Sequence, residues 1–393
     1  MTKQNYFLSQ PHQPFFLLGI VNAIIMMLIF ALNYKGILNL QIDMANFHVY
    51  SLVFIVFTNV FTGFLFTTFP RFTQSQVISK TYYSNVFYYS LLGAALFLIG
   101  AFINHFVLLA GMIVLFFAQL FIVLKLQNIY MDGTSPDKKD AFWILTAQYF
   151  GLLGNILFIG IELNNYLDLD INLLNLAVNI SFYMYLIFLA FGVAQRMIPF
   201  FSHSFAPKNE NFVKIIFVLF IAKSIFSTLN FTIAEIITDL LLGVYMLLEI
   251  RRWDLHPFNS PAILWVLHLA LFWLPAAFLL SALSLTTELL VGTSMYFLNI
   301  HLLAIGFLTT VLIGFGTRVT LGHSGQPPHA DKLASTIFWF VQVVVFLRAL
   351  FSINVAFGWN LNFLFDISFT AWLLLFLIWA ARYGKVLAFG TKL

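Results

Sequence analysis

The chain has no cysteine in its 393 residues. That excludes disulfides, thiolate-held iron–sulfur clusters, c-type haem attachment and a thiolate-ligated copper centre. A bound metal would have to rest on His, Met, Tyr, carboxylates or backbone oxygens. Charge is nearly as scarce: Asp, Glu, Lys and Arg make up 9% of the chain, against about 25% in soluble domains. So little polar surface cannot keep a chain in water. Also missing are a Gly-Lys-Ser/Thr phosphate loop, a His-Glu-x-x-His zinc pair and a Gly-x-Ser-x-Gly nucleophile elbow, so these soluble chemistries have no carrier. No long linker, low-complexity stretch or convincing internal repeat is visible.

What the chain does have is apolar bulk, 61% of all residues, including 49 Phe. It comes in blocks of roughly 18 to 28 residues, enough to cross a hydrocarbon core of about 30 Å. The fold expected is all-α, a single integral membrane domain over residues 1–393. Its candidate spans are approximately 14–33, 47–69, 84–103, 106–126, 141–161, 172–199, 212–228, 230–250, 261–282, 288–316, 333–353 and 360–382. Loop chemistry separates them, as in "DGTSPDKKD" and "DLHPFNSP". The first block is long and runs into "NYKG", which is no small-residue cleavage site, so it is expected to remain as a span. The phenylalanines read as lipid-facing and packing bulk.

Twelve spans put both termini on one side. From Lys3 to Lys392, all the lysines and arginines except Lys35, Lys223 and Arg348 then fall on that side or at span ends facing it. This positive-inside bias makes both termini cytoplasmic. The net charge of +4 therefore reports orientation and a lipid bilayer partner, not nucleic acid. The opposite connections carry acids: Glu162, Asp168, Asp170 and Glu288.

Ionisable residues inside a bilayer cost about 2.5–3.5 kcal/mol each, so each is a functional candidate. His12, His203, His256 and His329 fall in expected cytoplasmic loops and His105 in a tight outer turn, where a solvated or loop-bonding role suffices. His301 is expected about twelve residues into the tenth span, near mid-membrane, about 18 Å from its outer end. His268, in "ILWVLHLALFW", lies in the antiparallel ninth span, so the two can share a depth. Such a pair suits haem or copper ligation. It equally suits hydrogen bonding to backbone or to Ser/Thr, and Ser294 shares a face with His301. His48 opens the second span, near Tyr50.

Arg196, in "FGVAQRMIPFF", and Arg318, in "GFGTRVTLGHSG", close the sixth and tenth spans. Both can snorkel as anchors, or hold a carboxylate or phosphate bidentately at the cytoplasmic rim, with His323 nearby. In-membrane Glu235 and Asp239 are four apart and share a helix face with Lys223 within reach. A proton path or cation site is open to them, and an ion pair with Lys223 is the simpler reading.

The run "HLLAIGFLTTVLIGFGTRVTLGHSGQP" resembles the late signature of the NnrS family, haem- and copper-containing membrane proteins linked to nitric oxide. "QPFFLLG", "RMIPFFSHS" and "LWVLHLALFWL" resemble three further family segments in the same order, so the likeness covers essentially the whole chain. The resemblance implies a multi-pass protein of the bacterial inner membrane, binding b-type haem through His48, His268 and His301. Arg196, Arg318 and His323 would line the cytoplasmic rim. The implied role is relief of nitric oxide and nitrosative stress, with redox activity at an open iron position and an electron donor the sequence does not name. One departure counts against copper: Tyr50 and Ser51 stand where the family has a second histidine and a glutamate. Two rivals share these residues, a transporter of a small anion and a non-catalytic haem or gas-sensing module.

Overall fold

Every apolar block becomes a helical rod in the computed structural model, which describes residues 6–167, 172–295 and 297–393. Lys3, Asp168 and Asp170 lie outside them. The rods are α1 (His12–Tyr34), α2 (Met44–Thr73), α3 (Lys80–Ile103), α4 (His105–Asp132), α5 (Lys139–Leu167) and α6 (Leu174–Phe201). They continue as α7 (Phe212–Thr228), α8 (Thr232–Arg252), α9 (Ala262–Val291), α10 (Leu298–His323), α11 (Lys332–Phe357) and α12 (Phe363–Phe389). No strand occurs among the described residues, as expected where backbone groups must be satisfied within each segment. Ten rods are long and apolar enough to cross a membrane. The other two are neighbours: α7 has only 17 residues, and α8 carries Glu235, Asp239, Glu249, Arg251 and Arg252.

Side-chain caps mark several starts. Asp43 accepts from the Ala45 and Asn46 amides, Asn104 from Phe106, and Asp331 from Ala334. One boundary moves from its expected place. The sequence places the turn between the ninth and tenth spans near residues 283–287, where Ser, Thr and Glu gather. The helix instead runs through them to Val291, because Thr286 and Thr287 return their hydroxyls to the Ala282 and Leu283 carbonyls. Gly292, at φ 71°, then ends it in the left-handed conformation that only glycine adopts without strain.

Three rods share a feature the sequence did not announce. Within α2, α6 and α10 a short α-helical start leads into a π-helical segment, at Ser51–Phe57, Ile180–Ile187 and Leu302–Thr309, before α geometry resumes. The three are every fourth rod. A π turn leaves carbonyls misaligned with the following α turns. Thr58, Thr309 and Thr310 satisfy three of them, each bonding the carbonyl five residues back, on Val53, Ala304 and Ile305.

The chain packs as two compact units, residues 1–189 with 380–393, and residues 190–379. In the first, α3 and α4 form a close hairpin. A Cβ added at Gly100 would strike the Leu108 backbone, and one at Gly111 the Phe97 backbone. Gly100→Ala is therefore expected to cost about 1–3 kcal/mol by overpacking, read as a lower thermal unfolding midpoint. An unchanged midpoint would mean the hairpin can open without loss. Inside this unit Tyr50 donates to Asn155 (3.1 Å), Asn155 to Gln119 (2.9 Å), and Thr58 bonds Tyr185 (2.8 Å), which satisfies polar groups that lipid could not. In the second unit α8 packs along α7 and α9, and α9 along α10.

Candidate functional site

In the second unit, three of the quoted sequence segments meet at one end. This is the basic end, where Arg196, Arg251, Arg252, Arg318 and Lys332 close or open helices. Pro199 lies in the last turn of α6, and Ser202 follows it, donating its hydroxyl to the Ile198 carbonyl at 2.8 Å. The same oxygen lies 2.6 Å from His268 Nε2 of α9. A hydroxyl has one proton, so with that proton on Ile198 the imidazole donates through Nε2 and keeps its lone pair on Nδ1. That atom is buried without a partner at bonding geometry, although the His256 backbone approaches the ring. Thr320 Oγ1, also at this end, is likewise buried and unpartnered.

Arg318 completes the junction. Its guanidinium stacks on the Phe201 ring, 4.0 Å from the centroid, and Phe201 meets Phe315 edge-on. The stack holds a half-buried cation at the helix end without neutralising it. One residue earlier, Thr317 accepts from Trp379 Nε1 at 3.0 Å, fixing α10 against α12. Gly314 lets α10 approach Leu267, beside His268. The arrangement suits an anion through the fixed guanidinium, since the Ser202 and His268 protons are already committed to Ile198 and Ser202. Arg196 and His323 are half-buried near the ends of the same helices, α6 and α10.

His301 lies elsewhere. It is the fourth residue of α10, not a mid-span residue, because α9 continues to Val291 and α10 starts only at Leu298. Asn299 bonds Ser281 of α9 at 3.1 Å. Since α10 runs antiparallel to α9, that sets the level of His301 about eleven residues, or about 16 Å, from His268 along α9. The expected shared depth of the two histidines is thus not what the structure has. Nor does α10 break at Gly314 or Gly316, since α geometry runs from Thr310 to His323. His301 and Arg318 stay about 25 Å apart along one helix. Its Nδ1 lies 2.9 Å from the Phe297 carbonyl, and the next residue begins the π segment.

His48, in the first unit, lies in the second turn of α2 and stacks on Phe30 of α1 with centroids 4.1 Å apart. Tyr50 and Ser51 are both buried and engaged internally. Tyr50 bonds Asn155 and stacks on Phe97, while Ser51 donates to the His48 carbonyl. Tyr50 thus forms part of an aromatic plug at the start of the second span. Among the described residues there is no group of three or more His, Asp or Glu able to hold a metal ion. These donors do not fit a copper centre at the second span.

The remaining histidines divide. His203, His256 and His329 are exposed, as expected of loops. His105 caps its turn against Glu162, 3.2 Å from the carbonyl and 3.6 Å from Oε2. His12 differs: it opens α1 and is 1% exposed, because α1 begins two residues earlier than its apolar block. Glu162 also differs from its expected loop, lying buried within α5. The residues missed are Ser202, Phe201, Phe297, Asn299 and Ser281. Only Ser202 had a visible signal, a hydroxyl three residues after a helix-ending proline.

A bundle of long apolar helices, ten of them long enough to cross a membrane, defines a polytopic membrane protein. The family is specific. Residues 6–389 match the model of the family described as NnrS protein, and the chain belongs to that family. No curated protein matches it.

Proposed function

We propose that this NnrS-family chain binds haem in the bacterial inner membrane and acts on or responds to nitric oxide, with His301 as the residue that would hold the iron. The Phe297 carbonyl carries the reading. A carbonyl only accepts, so His301 Nδ1 holds the proton and Nε2 holds the lone pair. A backbone carbonyl in this position orients a ligating imidazole and raises its basicity. Bound haem would supply an iron with an open position for a diatomic gas and one-electron chemistry. The absence of cysteine excludes covalent c-type attachment, and the family resemblance implies a b-type haem.

The residues of the basic end serve a different group, since the unbroken α10 keeps Arg318 about 25 Å from His301. With His268 Nε2 tied to Ser202, that end suits a carboxylate or phosphate held by Arg318, Arg196 and His323. The same cluster favours the second reading, a carrier of small anions. A reduced-minus-oxidised spectrum of purified protein separates the two. Soret and alpha bands are expected, and a spectrally silent, metal-free preparation would sink the haem reading. Nitric oxide that is consumed indicates turnover; a spectral shift without consumption indicates a sensing module.

The distribution of basic residues supports a cytoplasmic location for both termini. The cysteine-free chain makes this simple to check. Thr134→Cys and Asn39→Cys introduce single thiols in exposed connections. An impermeant thiol reagent is expected to reach Asn39→Cys from outside intact cells and Thr134→Cys only after lysis. The reverse pattern would invert the topology.

A further inference from the structure

The second unit buries a charge cluster that the haem reading leaves unused. Lys223 of α7 places Nζ 2.7 Å from Glu235 Oε1 and 2.7 Å from Asp239 Oδ2, both on α8. Lys223 and Asp239 are 0% exposed. The four-residue spacing puts the two acids one above the other on one helix face. The charged groups acting on Asp239 are Lys223 from α7 and Glu235 from its own helix. The other packed helix, α9, presents only the neutral Ser281 hydroxyl to it.

Two carboxylates facing one ammonium leave one negative charge in excess. An uncompensated buried charge costs several kcal/mol or more, and a single proton removes it. A second observation marks where a proton can sit: Asp239 Oδ1 is buried without a partner at bonding geometry, although the Ser281 hydroxyl approaches the carboxylate. Access is graded. Glu235, in the first turn of α8, keeps 10% of its side chain exposed, while Asp239 one turn deeper is sealed. Beyond Asp239, Ser281 accepts from Asn299 in the first turn of α10.

We propose that Lys223, Glu235 and Asp239 form a proton-holding site, binding one exchangeable proton that enters from solvent at Glu235. A carboxylate oxygen gains a proton from hydronium at the solvent side, water is left, the cluster becomes neutral, and no electrons move. The site lies opposite the basic end of this unit and does not depend on what His301 holds.

Infrared spectroscopy of the purified full-length protein tests it through the carbonyl stretch of a protonated carboxylic acid, which shifts in D2O. Asp239→Asn and Glu235→Gln each leave one carboxylate against one ammonium, so each is expected to lose that proton. Wild-type-minus-variant difference spectra should then both contain a D2O-sensitive acid band, which cancels contributions from other acids such as Glu162. Absence of any acid band in the wild type overturns the proposal. So does a wild-type band that survives in both variants.

Discussion

Lys223→Met is expected to lower stability by about 3–5 kcal/mol, the usual consequence of removing one partner from a buried ion pair. The ammonium faces Glu235 and Asp239 at 2.7 Å each and is fully enclosed. Without it both acids must take up protons or stand as buried charges. Lower pH supplies those protons, so the deficit should shrink as pH falls and be largest above neutrality. Thermal unfolding in detergent at several pH values reads this directly. Combining Lys223→Met with Glu235→Gln and Asp239→Asn removes every charge, and most of the lost stability should return, since neutral replacements of buried ion clusters are often tolerated. A single variant as stable as wild type across pH would show that water reaches the cluster freely.

His301→Ala is expected to remove most of the bound haem, whereas His268→Ala should keep it. Changes to groups that merely support a metal ligand cost about 10–100-fold in affinity, and loss of the ligand itself should cost at least as much. The contrast follows from the two hydrogen bonds. His301 is held through Nδ1 by a carbonyl and keeps its lone pair on Nε2, while His268 is held through Nε2 by Ser202 and its lone pair, on Nδ1, is enclosed against the His256 backbone. Added imidazole should restore the spectrum of a His301→Gly variant by occupying the vacated place. If His268→Ala lost haem and His301→Ala kept it, the ligand would belong to the basic end, with Arg318 on the propionates. Equal, unaltered spectra from both would remove both residues from the coordination sphere.

The helices were legible because lipid imposes two demands that residues meet locally, length and apolarity. Each of the twelve blocks appears, α7 and α8 included, although those two fall outside the length and charge expected of a span. Helix ends were less legible. The polar run "SLTTE" reads as a turn, yet threonines can bond their own helix's carbonyls, so the break waited for Gly292. That shift of about ten residues moved His301 from mid-membrane to the first turn of α10. It separated two histidines that spacing alone had paired.

Partnerships divide along the same line. Residues close in sequence declared themselves: Glu235, Asp239 and Lys223 lie within seventeen positions and pair as their spacing allows. The junction of Ser202, His268 and Arg318 joins three segments far apart in the chain, and nothing local specifies which hydroxyl meets which imidazole. The π segments of α2, α6 and α10 were equally silent, because a wider helical turn depends on what packs beside it and on which threonine reaches the displaced carbonyl.

Composition and order alone determined that this is an all-helical membrane chain without thiol chemistry, with the segments of its family in place. Those properties follow from each residue's own transfer energy and charge. Only the tertiary structure decided that His301 and Arg318 occupy opposite ends of an unbroken helix, that His268 belongs with Ser202, and that Tyr50 forms part of an aromatic plug. Depth and contact are sums over neighbours from other helices, and close packing resolves them only when the whole unit is assembled.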